Sequence, residues 1–299
     1  MTGTAQTTWP LQTSSLTACG IRTRVLQGGP DPKASEAVVF VHGNPGSSED
    51  WRSLMQAVAP SGRVVAIDMP GFGQADKPAN YPYSVEGGTA FLTEALKQLG
   101  VMRAHLVLHD FGGPWGLMWA AMNPLGLASI TLINTGVLKG YRWHYMARIW
   151  RTPLIGELAQ LSTTRSGFKW AISVGCPSGL PLEFVNRMYD DMDWGTKRAI
   201  LKLYRATSDL SARGEQLAGM LRPLNPPTLV VWGAADPYLP ARFAEQQRET
   251  FPRAEVVLLP KSGHFPFADD PKGVADAVVP FLQRQLSSGK AQAQHAAAG

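Results

Sequence analysis

Three side chains in this chain of 299 residues have the types and the order needed for displacement chemistry at carbon: Asp110, Asp236 and His264. Asp110 lies within LVLHDFGGPWGLMWA, residues 106–120. There an apolar run, Leu106, Val107 and Leu108, gives way to His109 and Asp110, and the glycine pair Gly112 and Gly113 opens a helix-like pattern. The segment reads as a strand, a sharp turn and a helix. A carboxylate on such a turn is already ionised at neutral pH and attacks sp³ carbon by displacement, whereas a serine in its place serves acyl transfer. An aspartate before a helix is also a common N-cap, so the turn alone leaves both roles open. Asp236 in GAADPYLP is a good turn starter before Pro237, and a lone histidine in a loop such as SGHFPF is most often surface decoration. Taken together, each in a loop at or just beyond the carboxyl end of an expected strand, the three are hard to dismiss.

The elements that must position these residues follow from periodicity. Ile21, Val25 and Leu26 alternate loosely with polar residues, as in a hairpin at a sheet edge. Residues 37–41 form a fully apolar strand of the kind buried on both faces of a parallel sheet. It runs into HGNPGSS, where His42, Gly43, Asn44, Pro45 and Gly46 place flexible backbone at a strand end, suited to a turn or to donating an N–H to an oxyanion. A helix over 50–59, a strand over 63–67 and the loop DMPGFGQADKP follow, then a helix over 84–99 capped by Ser84 and strands over 104–108 and 127–133. Strands alternating with helices predict an α/β fold with a mostly parallel, doubly wound sheet. Short apolar strands then vanish, and residues 137–222, rich in Trp, Tyr, Met and Arg, read as a helical insertion. Strands over 227–232 and 255–259, a helix over 241–250 and an amphipathic helix over 273–286 complete the pattern. The expected domains are a core in two parts, 1–136 and 223–287, a helical cap at 137–222, and a small-residue, polar tail at 288–299 expected to be disordered.

With 44% hydrophobic and 17% charged residues, the body of the chain is globular. The net charge of +5 comes without a dense Lys/Arg run interleaved with aromatics, which gives nucleic-acid binding little support. Cys19 and Cys176 match neither a metal nor a redox spacing and are expected to be free thiols; no metal or other cofactor is called for. The start MTGTAQTTWP lacks the basic and apolar regions of a signal peptide, and no stretch is long enough to span a bilayer, so a cytoplasmic location is expected. The sequence leaves a homo-oligomer open.

The chain resembles, over nearly its whole length, the α/β-hydrolases with an aspartate nucleophile, namely epoxide hydrolases and haloalkane dehalogenases. The resemblance rests on HGNP at 42–45, DMPGFGQADKP at 68–78, HDFGG at 109–113, GAADPYLP at 233–240 and GHFPF at 263–267. It implies an α/β-hydrolase fold with an inserted helical cap, and a triad in the chain order nucleophile, acid, histidine. Asp110 would form an ester with the substrate, and His264, oriented by Asp236, would activate the water that hydrolyses it, with backbone N–H groups of Phe111 and Asn44 meeting the oxyanion. The implied partners are a small apolar organic substrate and water. Two departures stand out: Leu108, where the family has a small residue, and Phe111.

Phe111 bears on the leaving group. A halide needs neutral N–H donors, which dehalogenases take from a Trp directly after the nucleophile, paired with an Asn in the HGNP loop or a cap Trp. Asn44 is present and Trp143, Trp150 or Trp170 could line the site from the cap, but Phe111 has no side-chain N–H. An epoxide oxygen needs an acid, which cap tyrosines supply. Tyr204 in AILKLYRA matches the family's cap-helix tyrosine, and of Tyr141 and Tyr145 the second is chosen as its partner. On this reading the chain is an epoxide hydrolase, with haloalkane dehalogenase as the alternative. A halogenated-acid dehalogenase would want an Arg near the nucleophile to bind the substrate carboxylate, where the place directly after Asp110 holds Phe111; a serine esterase is disfavoured because the turn has no Ser or Cys, and a binding protein would have little reason to keep all three residues.

Overall fold

The structure, a computed structural model, describes residues 9–297, with side-chain surroundings through residue 288. Cys19 and Gly20, both with positive φ, turn β1 (Gln12–Ala18) into β2 (Ile21–Gly28), forming the expected edge hairpin. The other strands are β3 (Glu36–Val41), β4 (Val64–Ile67), β5 (Arg103–His109), β6 (Leu127–Ile133), β7 (Thr228–Gly233) and β8 (Glu255–Leu259). Eight strands form one sheet in the order β1-β2-β4-β3-β5-β6-β7-β8. β2 pairs antiparallel with both its neighbours, and every later pairing is parallel. The continuous apolar runs of β3, β4, β6 and β7 are almost wholly buried, as strands covered on both faces must be.

Because β4 lies outside β3 and β5 returns on the other side of it, the chain reverses its direction of travel across the sheet between β3 and β5. Ligands of open α/β sheets bind in the crevice at such a switch point, beyond the carboxyl ends of the strands. The loops that start at His42 and at Asp110 open there.

In the sheet layer, α1 (Arg52–Val58) packs against the final helix, and α2 (Val85–Gln98) against α3 (Gly112–Met122). Between β6 and β7 come six helices and no strand: α4 (Tyr145–Arg151), α5 (Ile155–Leu161), α6 (Arg165–Gly175), α7 (Leu182–Asp190), α8 (Trp194–Ala206) and α9 (Leu210–Leu221). The last of these packs on α3. The remaining helices are α10 (Arg242–Gln246), α11 (Pro266–Asp269) and α12 (Pro271–Ala297). α12 runs as far as Ala297, past the start at 288 of the tail expected to be disordered; Ala, Gln and Lys are strong helix formers and the segment holds no proline beyond Pro280. Residues 298–299 lie outside the described residues. No helix among those described is long and apolar enough to cross a membrane, and both cysteines are free, Cys19 exposed and Cys176 buried.

Leu108 finds its space in the helix that follows the turn. A Cβ added at Gly116 would stand 2.3 Å from Leu108 Cδ2, so the bulk missing from α3 at Gly116 is supplied by β5 at Leu108.

Candidate active site

β5 ends at His109 and α3 begins at Gly112, leaving Asp110 to turn the chain with φ of +46°. Asp tolerates this left-handed region better than most residues, but the conformation persists only where neighbours over-determine it. Here Thr135 Oγ1 and the Gly113 N–H both donate to the Asp110 carbonyl, at 2.7 and 2.9 Å. A Cβ on Gly43 would come within 2.3 Å of Asp110 Cβ, so glycine in the first loop is what lets the carboxylate lie against it. The Asn44 N–H then donates to Asp110 Oδ1 at 2.7 Å. Phe111 is the N-cap residue of α3, and its N–H belongs to the helix end, where backbone donors lack intrahelical acceptors.

The other two residues come from the loops after β7 and β8. His264 Nδ1 donates to Asp236 Oδ2 at 2.7 Å, and its Nε2 lies 3.7 Å from Asp110 Oδ2. Asp236 is held in turn by the N–H groups of Tyr238 and Leu239 on Oδ1 and by the Asn134 amide on Oδ2, at 2.7, 3.1 and 2.7 Å. Asn134 Oδ1 also accepts from the Gly233 N–H at 2.8 Å, tying the end of β6 to β7. The backbone of His264 is gripped from two sides: its N–H donates to the Gly175 carbonyl, and its carbonyl accepts from His109 Nε2, both at 2.8 Å. Neither Asn134 nor His109 was singled out from sequence for these tasks; the only sequence signal for Asn134 is its place directly after an apolar strand.

These contacts fix the charges. Burial raises the Asp110 carboxyl, but the His264 imidazole outweighs it, with help from the Asn44 N–H, and leaves it at about 2. Burial opposes charge on His264; Asp236 and Asp110 overcome it and hold the imidazolium up to about 10. Asp236 resists burial through His264 and Asn134 and stays below its ordinary value. His109, buried beside that imidazolium, is pushed down to about 3 and is neutral. The resting site is therefore an Asp110 carboxylate facing a protonated His264.

Asp110 and His264 open on a mostly apolar cavity of about 350 Å³. Tyr204 on α8 lines it and is 3% exposed, its ring 5.0 Å from Phe111 and 4.9 Å from Trp150. Burial first, and Asp110 second, push its phenol well above the usual tyrosine value, so it carries its proton. The Asn44 amide is beside the phenol, and neither of its side-chain polar atoms has a hydrogen bond of ordinary geometry among the described residues. Trp143 and Trp150 line the cavity; Trp170 also borders it but is 69% exposed, as at a rim. Tyr145 needs correction. It is 49% exposed and borders no part of the cavity, because α4 starts at that residue and turns it outward, whereas Tyr141 before the helix faces in. His144, which sequence reasoning passed over, also faces in. Its Nδ1 accepts from the Ala147 N–H at 3.3 Å as the cap of α4, and burial followed by the His264 charge pushes it down to about 4. A neutral ring that accepts at Nδ1 carries its proton on Nε2.

Comparison with known proteins agrees with this architecture. The model of the alpha/beta hydrolase fold family matches residues 36–271. The cis-3-alkyl-4-alkyloxetan-2-one decarboxylase of Xanthomonas campestris is 26% identical over 291 residues, covering 89% of this chain and 93% of that protein. Among solved structures, a loop variant of the haloalkane dehalogenase of Bradyrhizobium elkanii superposes with a TM-score of 0.81 at 22% identity, covering 95% of this chain and 99% of the other. The epoxide hydrolase CorEH superposes with a TM-score of 0.76 at 18% identity, over 91% and 98%.

Proposed function

This chain belongs to the α/β-hydrolase fold family, and from that premise we propose that it is an epoxide hydrolase acting through a covalent ester on Asp110. The observation that carries the reading is the facing of two groups across one apolar cavity: a carboxylate kept ionised on a strained turn, and a buried phenol, Tyr204, kept protonated. Residues 137–222 serve as the cap, with α4, α5, α6, α8 and the start of α9 contributing residues to the cavity wall.

The charges balance through a full cycle. Asp110 Oδ2, the oxygen not held by Asn44, attacks an epoxide carbon; the C–O bond breaks and the ring oxygen takes the Tyr204 proton. The product is a neutral hydroxyalkyl ester and a phenolate. Loss of the Asp110 charge removes one of the two anions that hold the proton on His264, so the imidazolium gives it up and the phenol is restored. Neutral His264, still oriented by Asp236, then takes a proton from water as the oxygen adds to the ester carbonyl. The oxyanion is met by the N–H groups of Asn44 and Phe111. Collapse releases the diol and returns Asp110 as a carboxylate and His264 as an imidazolium. His144, with its Nε2 proton, stands on the same wall as Tyr204 and assists the ring opening; the rings are 6.3 Å apart.

Haloalkane dehalogenation is the second reading, supported by the Asn44 amide, a neutral donor that borders the same cavity as Asp110 and has no hydrogen bond of ordinary geometry among the described residues. The test is incubation with styrene oxide, with 1-bromobutane and with a cis-3,4-dialkyloxetan-2-one, the last because the Xanthomonas relative is named for that strained ring. Diol from the first and no halide from the second is expected. Halide release without diol would replace epoxide by halide, and alkene from the oxetanone alone would replace both.

A further inference from the structure

Helix α5 is inside out. Along Ile155–Leu161 the aliphatic residues Ile155, Leu158 and Leu161 are each more than half exposed, while Gln160 is 2% exposed and borders the cavity. An ordinary surface helix does the reverse, because burying a glutamine costs desolvation that burying a leucine returns as stability. The Gln160 amide makes no hydrogen bond to any described residue, and its polar atoms are not sealed from the cavity. The other polar residues of this wall are self-satisfied: Ser162 Oγ and Thr163 Oγ1 both donate to the Ala159 carbonyl, at 3.1 and 2.8 Å. Among the described residues no Lys, Arg or Glu borders the cavity, and the only acidic residue that does is Asp110.

We propose that Gln160 is a specificity residue that binds a neutral hydrogen-bonding group, a hydroxyl or a carboxamide, on a substrate whose body is otherwise apolar. The amide offers both a donor and an acceptor, which a hydroxyl or carboxamide can satisfy together, whereas the apolar walls would reject either group if it met no partner. The proposal rests on the epoxide reading for the reactive end of the substrate, but the Gln160 contact can be measured without turnover.

The experiment is equilibrium binding of two inert ligands of similar shape, 4-ethylbenzamide and ethylbenzene, followed by quenching of tryptophan fluorescence. In the unmodified protein the benzamide is expected to bind at least as tightly as ethylbenzene, despite its greater cost of leaving water. In Gln160→Leu it is expected to bind at least about tenfold more weakly than ethylbenzene. The same reversal is expected in the ratio of kcat/KM for 4-carbamoylstyrene oxide over styrene oxide. A wild-type protein that favours ethylbenzene tenfold or more overturns the proposal, and this result needs no variant to fold. If the binding preference holds but no epoxide is converted, the reaction assignment fails and the Gln160 contact stands; conversion without the preference means the opposite.

Discussion

The sheet side of the cavity and its helical side hold their functional groups by different means. On the sheet side, Asp110, Asp236 and His264 are each fixed through backbone: a positive-φ turn, two N–H groups on Asp236, and bonds to the N–H and carbonyl of His264. On the helical side, Tyr204 is placed by rings, wedged between Phe111 and Trp150, and Gln160 by the facing of a two-turn helix. Backbone bonds leave one geometry, while packed rings tolerate exchange of size and polarity. On the proposed reaction the sheet side would decide whether it occurs, and the helical side on what and how fast.

The largest effect expected is on the sheet side. Asp110→Ala should lower turnover by about four orders of magnitude or more, with far-UV circular dichroism unchanged; substantial activity in the folded variant would place the nucleophile elsewhere. On the helical side, Tyr204→Phe keeps the ring contacts and removes only the acid. It should slow ester formation by about 10²- to 10³-fold and leave ester hydrolysis nearly intact in single-turnover kinetics. An equal loss in both steps would put Tyr204 outside ring opening.

Stability provides smaller tests of how tightly the sheet side is built. Gly116→Ala should destabilise by about 1–3 kcal/mol, since its Cβ would stand 2.3 Å from Leu108. The double variant with Leu108→Ala should recover part of that loss, and additive effects in denaturant melts would mean the two do not share space. The pH dependence has a defined sign. His264 is raised to about 10, so its contribution to stability is complete below its unfolded value near 6.5 and is lost as pH rises through about 10. The melting temperature should fall between about pH 7 and 10, and fall less in Asp110→Ala, where one of the raising anions is gone.

The same division explains what the sequence made legible. Apolar runs, a glycine pair and three reactive residues at strand ends are local patterns, and they located the strands, the turn and the positions of Asp110, Asp236 and His264. Asn134 was not legible because its task is a contact across 102 positions of chain. The choice between Tyr141 and Tyr145 depended on where α4 begins, a matter of one residue that His144 settles by capping it. Gln160 ran against the pattern: periodicity would turn Leu158 and Leu161 inward, and the structure turns them out. Leu108 departs from the family's small residue, and its accommodation is legible only once Gly116 is seen across from it.

The claim on which the account depends is that Asp110 bonds to the substrate. His264→Gln keeps a side chain of similar size but cannot act as a base on water, so the ester should form and persist. Intact-mass spectrometry of this variant after exposure to styrene oxide should show one added substrate mass, located by digestion to the peptide containing Asp110. A folded variant that remains unmodified while the wild type produces diol would mean that Asp110 serves as a general base and that no ester lies on the path.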